Sequence, residues 1–303
     1  MFRRWFLVLR GWFDSDCLEQ NLKNQSIDWV RAVPFIVLHL GCLLLFVVGV
    51  SPIAVFMAFL LYSVRMFAIT GFYHRYFSHR TFQTNRVWQF IFALLGASSA
   101  QRGPLWWASH HRQHHRHADK EHDPHSPLHQ GFKWSHFGWF FAPESFKTDY
   151  ALVPDLARFK ELQWLNRYDT MAPIALAVCL FLLGTVLQKI HPDLHTNGLQ
   201  MLVWGFFVST TLLFHATSSI NSLAHKWGSR RFNTPDQSRN NFWLALITFG
   251  EGWHNNHHYY PGSARQGFFW WQIDLTYYGL LVLSKLKIIH SLRPVRMDRG
   301  KLA

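Results

Sequence analysis

The sequence predicts an all-α integral membrane protein, with four transmembrane helices in two hairpins and a helical cap on the cytoplasmic side. Three observations predict it. Apolar residues gather into four blocks, at about residues 33–50, 52–71, 172–187 and 199–217, each near the ~20 residues that cross a hydrocarbon core. Lysine and arginine are concentrated outside the two pairs of blocks and nearly missing from the turns within each pair, the asymmetry that places basic loops in the cytoplasm. The histidines gather in the polar segments, with fifteen of the twenty in residues 74–136 and 225–258.

Taken in order, Met1-Phe-Arg-Arg-Trp-Phe-Leu-Val-Leu-Arg10 starts like a signal peptide. Its apolar core is short and Arg10 interrupts it, so it is expected to stay uncleaved, with Trp5, Phe6 and Trp12 at headgroup level. Only Ser51-Pro52 separates the first two blocks, which predicts a tight turn. Arg65, near the end of the second block, is expected to snorkel or face the protein interior. The second helix should run on past the bilayer, carrying His74 and His79. Residues 87–100 are apolar but too few to span, and are expected to be buried or re-entrant. Residues 188–198 form a short linker with a single lysine, Lys189. The last apolar stretch, 267–289, includes Asp274, Tyr277 and Tyr278 and is expected to form an interfacial or cap helix. Four spans put residues 1–32, 72–171 and 218–303 of one domain, both termini among them, on the cytoplasmic face. Arg3, Arg4, Arg10, Lys23 and Arg31 agree with that side.

Composition excludes several classes. A net charge of +13 invites a nucleic-acid reading, but the bases sit beside the apolar blocks, where membrane topology explains them; no nucleic acid is expected. Cys17, Cys42 and Cys179 form no Cys-x-x-Cys pair, and suit neither a disulfide framework nor a cysteine metal site. A nucleophilic triad, a Gly-rich phosphate loop and a His-Glu-x-x-His motif are all missing.

The chemistry lies in the histidines. His111-Arg-Gln-His-His115 and His254-Asn-Asn-His-His258 repeat one spacing, which on a helix projects three imidazoles, His111, His114 and His115 or His254, His257 and His258, from one stripe. His74-Arg-Tyr-Phe-Ser-His79 adds a pair five residues apart, about 140° around an ideal helix, able to reach two neighbouring metals, or one if the helix end unwinds. Asn221 and His225 lie i, i+4 at the end of the fourth block. Nine imidazoles and one amide are too many for one ion and suit two. Imidazole-rich, carboxylate-poor sites fit iron, copper, zinc or nickel, and not calcium or magnesium; two irons would suit oxygen chemistry. His39, His191, His195, His215 and His290 are expected to be surface or hydrogen-bonded residues. His110, His117, His122, His125, His129 and His136 are expected to be supporting groups more than ligands, with Asp123 among the supports.

The three clusters, in this order around the spans, resemble the membrane fatty acyl desaturases, in particular the acyl-CoA (stearoyl-type, delta-9) branch. That family's pattern is His-x4-His, His-x2-His-His and His-x2-His-His, and Asn221-Ser-Leu-Ala-His-Lys-Trp-Gly228 looks like its further Asn and His contributors, the Asn acting through water. The likeness covers roughly residues 33–290. It implies two iron ions held by His74, His79, His111, His114, His115, Asn221, His225, His254, His257 and His258, with the histidines of the three clusters as the catalytic set. It also implies O2 as cosubstrate and a cis double bond, expected at delta-9, in a saturated acyl chain carried by CoA. An apolar tunnel would hold the chain by shape, with Trp106, Trp107 and Trp253 as wall candidates and Ala58 and Tyr62 at its far end.

One departure bears on the head group. Where the acyl-CoA enzymes carry Trp-Ala-Arg-Asp-His-Arg, this chain has Ser109 and His110 after Trp107-Ala108. Arg102 or Lys133 would have to grip CoA phosphates instead, and lipid-linked or carrier-protein-linked chains stay open. No His-Pro-Gly-Gly haem signature occurs, so electrons are expected from a separate cytochrome b5-, ferredoxin- or rubredoxin-like donor meeting a basic face. Two rival readings are a histidine-box hydroxylase of lipids or alkanes, and a membrane metal transporter, which would place its ligands at mid-membrane.

Overall fold

The computed structural model describes residues 10–15 and 27–296; Arg3, Arg4, Trp5, Phe6, Cys17 and Lys23 lie outside them. Helix α1 (Trp29–Cys42) starts where the Asp28 carboxylate accepts the N–H groups of Val30 and Arg31, satisfying donors that a helix start leaves free. With a short continuation it forms an apolar span over Trp29–Val48. Gly49, at φ +69°, breaks it, a conformation glycine adopts without steric penalty. Ser51 then caps α2 (Pro52–Phe67), accepting the Ala54 N–H, with Pro52 in the first turn. The expected tight turn is therefore a Gly stop followed by a Ser-Pro start.

Helix α2 does not end at residue 71. It continues without a break as a π-helix over Ala68–Ser78, so the span reads Pro52–Ser78 and delivers His74 beyond its apolar part. Helix α3 (Arg86–Ala97), capped by Asn85, is the short apolar stretch; it buries Phe92, Ala93 and Gly96 and exposes Val87, Leu94 and Leu95. Helix α4 (Pro104–His117) carries the second cluster. Helices α5 (Met171–Ile190) and α6 (Gly198–Ser222) are the third and fourth apolar spans. Asn197 caps α6, and Gly184 lets the two helices meet, since a Cβ there would lie 2.5 Å from the Asn197 carbonyl oxygen. Helix α7 (His254–Tyr259) carries the third cluster, and α8 (Leu275–Lys285), capped by Asp274, is the short helix expected in the tail.

Four helices among the described residues are thus long and apolar enough to cross a membrane. In α1 and α5 only 11% and 17% of the most apolar window is buried in protein. Side chains such as Phe46, Val47 and Phe59 stand exposed, a surface of the kind that faces lipid or a partner protein. The main protein core lies elsewhere, where Phe72, Tyr73, Tyr76 and Phe77 of the π segment pack on α3, α4 and Leu162 and Leu165. A two-stranded ribbon that the sequence did not suggest pairs β1 (Gln83–Thr84) antiparallel with β2 (Ile289–His290), tying the tail beneath the first cluster. Arg65 faces inward, donating to Thr210 Oγ1 (2.7 Å), to Ser209 and to the Ser98 and Leu61 carbonyls, so it joins α2 to α6 and to the end of α3.

Candidate metal centre

The π-helix solves the spacing problem of the first cluster. Its i→i+5 pattern winds more slowly than an α-helix, so residues five apart come almost into line. The His79 N–H reaches the His74 carbonyl at 3.3 Å, and the two rings stand 5.0 Å apart between centroids. Ser78 Oγ donates to the Tyr73 carbonyl, also five back, at 2.9 Å. Arg75, wholly buried, fixes the segment from outside: its guanidinium meets Asp274 at 2.9 Å and Glu251 at 3.1 Å and donates to the Ala264 carbonyl.

Nine imidazoles then separate into two groups, His74, His79, His111, His115 and His257 in one, and His114, His225, His254 and His258 in the other. In each group the candidate ligand atoms lie within 4.8 Å of one another. The triplets divide crosswise. In α4 the outer pair, His111 and His115, belongs to the first group and His114 to the second; in α7 the outer pair, His254 and His258, belongs to the second and His257 to the first. A stripe spaced i, i+3, i+4 can therefore serve two neighbouring ions. Arg112, inside the second cluster, anchors α4 by donating to Asp155 (2.7 Å) and to the Ser78, Phe77 and Leu152 carbonyls.

The outer ring nitrogens show which atoms face inward. His114 Nδ1–H donates to Asp123 at 3.0 Å, His225 Nδ1–H to Asp119 at 2.8 Å, His258 Nδ1–H to Asp236 at 2.9 Å, and His74 Nδ1–H to Glu251. With Nδ1 committed as donor, Nε2 carries the lone pair in a neutral ring. These Nε2 atoms crowd together: His257 Nε2 is 3.0 Å from that of His74 and 2.9 Å from that of His115, and His225 and His254 approach at 3.0 Å. His258 Nε2 is buried with no hydrogen-bond partner. Converging lone pairs of this kind fit a transition-metal cation.

Electrostatics agree. Burial, and after it the neighbouring imidazoles, hold His79, His111, His115, His254 and His257 well below the ordinary imidazole range. Burial pushes His258 down to about 4 against the pull of Asp236. These rings are neutral bases at physiological pH, the state in which imidazole ligates. Burial acts to raise the carboxyls of Asp123, Asp236 and Glu251, yet the histidines they hold, with Arg75 beside Glu251, keep all three below their usual range.

Two cavities meet at the histidines. One runs between Trp106, Trp139, Phe140 and Phe214; the other lies between Ile69, Thr70, Ile220 and Thr248. Trp107, His111, Thr217 and Asn221 line both. Trp107 stacks on His111 with centroids 5.1 Å apart, and Gln101 Nε2 donates to Thr217 Oγ1 at 2.9 Å.

The other expected site residues fare unevenly. Asn221 lines both cavities beside His254. Trp106 lines one cavity, whereas Trp253 lines neither and instead donates its Nε1–H to the Ile273 carbonyl. Ala58 is buried. Tyr62 donates to the Ile247 carbonyl at 2.5 Å and packs on Phe249; neither residue lines either of these two cavities. Arg102 is not free to grip a phosphate, since it is held by buried Asp169 at 3.3 Å and by the Phe146 carbonyl; Lys133 is exposed. Ser109 and His110 are buried, donating to the Trp106 and Lys147 carbonyls. His39, His215 and His136 form a hydrogen-bonded chain, at 2.9 and 3.0 Å, between α1, α6 and residues 132–136. Sequence reasoning singled out Asp123 as a support but missed Asp119, Asp236 and Glu251 as histidine partners. Only Glu251, three residues before His254, left a local signal.

The family model described as fatty acid desaturase matches residues 50–282. The chain is 38% identical over 271 residues to an sn-2 palmitoyl-lipid 9-desaturase of Nostoc sp. (strain 36), covering 87% of this chain and 89% of that one. It is 37% identical to Delta-9 acyl-lipid desaturase 1 of Arabidopsis thaliana, covering 93% and 88%. It is also 34% identical to an acyl-CoA C20 Delta5-desaturase of Anemone leveillei, covering 93% and 90%. With its four apolar helices and its two groups of inward-facing imidazoles, the chain belongs to the fatty acid desaturase family.

Proposed function

We propose that this protein uses two iron ions and O2 to place a cis double bond at delta-9 of a saturated acyl chain carried on a membrane lipid. The observation that carries the reading is the division of nine buried or half-buried imidazoles into groups of five and four where two cavities share a wall. A bound iron pair would activate O2 and supply the oxidant that removes hydrogen from unactivated methylenes. The nine histidines would hold the pair, and Asn221 would act through water beside His254.

The chain's own residues do the rest by shape. A methylene run offers no polar handle, so position is set by where the walls turn. Trp107 and Thr217 stand where the cavities share a wall, with Gln101 donating to Thr217 from the first, and an acyl chain passing from one cavity to the other bends there beside His111. The surrounding tryptophan and phenylalanine side chains keep water from the reacting carbons.

Lipid linkage is favoured over CoA because Ser109 and His110 are buried and Arg102 is engaged by Asp169, which leaves the exposed Lys133 alone among the positions proposed for phosphate. The relatives from Nostoc and Arabidopsis, named as acyl-lipid desaturases, point the same way. Acyl-CoA is the second reading, favoured by the Anemone relative. We place the histidine face, both termini and the polar segments as a cap in the cytoplasm, on the charge asymmetry of the loops.

Expression in cells lacking unsaturated fatty acids, followed by mass spectrometry of each lipid class, tests the reading. The expected product is two mass units lighter and appears first in intact lipids. A gain of sixteen units would make the protein a hydroxylase, and first appearance in the acyl-CoA pool would restore CoA. Tyr62 and Ala58 lie on α2 ahead of Ile69 and Thr70, which line the second cavity, and a Tyr62→Ala variant is expected to shift products toward longer chains; an unchanged chain-length profile would remove them from the tunnel end.

A further inference from the structure

We propose that the surface formed by Arg231, Phe269, Trp270 and Trp271 docks a small acidic one-electron carrier that feeds the metal centre. The inference rests on the desaturase reading, whose chemistry consumes two electrons per double bond. Two reduced carriers each lose one electron; those electrons, two protons from water and the two hydrogens removed from the acyl chain reduce O2 to two waters.

Three observations locate the surface. The first is its make-up. Trp270 is 84% exposed, Phe269 stacks on Trp271 at 4.9 Å, and the Arg231 guanidinium lies 3.9 Å from the Phe269 ring centroid. Aromatic rings with an arginine are the composition of binding hot spots.

The second is charge. Residues 223–296 hold nine lysines and arginines and three carboxylates, Asp236, Glu251 and Asp274. All three carboxylates are buried, engaged by His258, by His74 and by Arg75. The exposed ionic surface of this segment is therefore wholly basic, complementary to an acidic partner.

The third is proximity to the histidines. The Arg231 N–H donates to Asn255 Oδ1 at 2.8 Å, and Asn255 follows His254. The Phe269 N–H donates to Gln272 Oε1 at 3.1 Å, which also accepts from Asn256 Nδ2 at 2.8 Å; Asn256 precedes His257. From the same loop, Gln266 donates to Glu251, the partner of His74. One hydrogen-bonded layer separates the patch from both imidazole groups.

The test measures binding first. Full-length protein in nanodiscs is titrated with a plant-type [2Fe–2S] ferredoxin and with the soluble haem domain of a cytochrome b5, at about 50 and about 500 mM salt. At least one is expected to bind, to weaken at high salt, and to lose about tenfold in affinity in an Arg231→Glu, Trp270→Ala double variant. Lys189→Glu, in the last turn of α5 rather than in the linker the sequence suggested, is expected to leave binding unchanged. The proposal is overturned if neither carrier binds the wild type in a salt-sensitive way, or if the double variant binds as wild type. It is also overturned if Trp270→Cys, with Cys17, Cys42 and Cys179 replaced by serine, is shielded from an aqueous thiol reagent by the nanodisc alone, which would make the patch a lipid contact. Turnover driven by a photoreduced small mediator separates the two readings: a wild type that forms no double bond with it fails as a desaturase, whatever the carrier does.

Discussion

Asp119, Asp123, Asp236 and Glu251 decide which nitrogen each of four histidines turns inward. Without its carboxylate an imidazole can rotate or take the other tautomer, and partners of this kind typically change metal affinity by about 10–100-fold. Asp236→Ala is therefore expected to lower iron retention by about that factor, read as iron per protein after a chelator challenge. Glu161→Ala, which breaks an exposed pair with Arg86, is expected to retain iron like wild type, as surface pairs are worth little. Equal retention in the two variants would show that Asp236 does not orient His258. The histidines were legible because their spacing repeats in local sequence. Their partners were not: Asp236 lies 22 residues from His258 and Asp119 106 residues from His225, so only the fold brings them together.

At the scale of elements, the least legible feature is the π segment. Nothing in Ala68–Ser78 distinguishes an i→i+5 helix from an ordinary one by composition, and the five-residue spacing of His74 and His79 was its single trace. Its surroundings hold it in place. A Cβ on Gly96 of α3 would sit 2.0 Å from the Tyr73 ring, so Gly96→Ala must displace the residue next to His74. Overpacking of this sort costs about 1–3 kcal/mol, and a lower Tm in detergent with reduced iron content is the expected result; full iron content would show that the segment yields without moving His74. The chain His39–His215–His136 fastens α1 to α6 by side chains that sequence reading took one at a time. His215→Leu removes two hydrogen bonds worth about 0.6–1 kcal/mol each, and is expected to lower Tm slightly while sparing iron content.

At the scale of the molecule, the imidazole groups staple segments far apart in sequence: the end of α2, α4, residue 225 just beyond α6, and α7. Ions bound to the folded state alone stabilise it by mass action, about 2.7 kcal/mol at a free concentration a hundredfold above Kd. Chelation is thus expected to lower Tm and to open residues 80–170 to proteolysis, with both effects reversed by ferrous iron. The four spans were legible because length and hydropathy alone define them; their ends were not, because α2 keeps its helix for seven residues past the expected boundary at 71.

The proposed orientation rests on charge and is open to direct measurement. Residues 188–198 carry one lysine, while basic residues crowd the other ends of the spans, so a cytoplasmic histidine face requires the linker to lie across the bilayer from it. Asp193 and Lys226 are both exposed, on opposite sides of α6 in sequence. With Cys17, Cys42 and Cys179 replaced, Asp193→Cys is expected to react with an impermeant thiol reagent in intact cells, and Lys226→Cys only after lysis. The reverse pattern would put the imidazoles outside the cytoplasm, away from its reduced electron carriers. Labelling of both positions on the same side would mean that α6 does not span at all, and the shared face of the three clusters would then need another explanation.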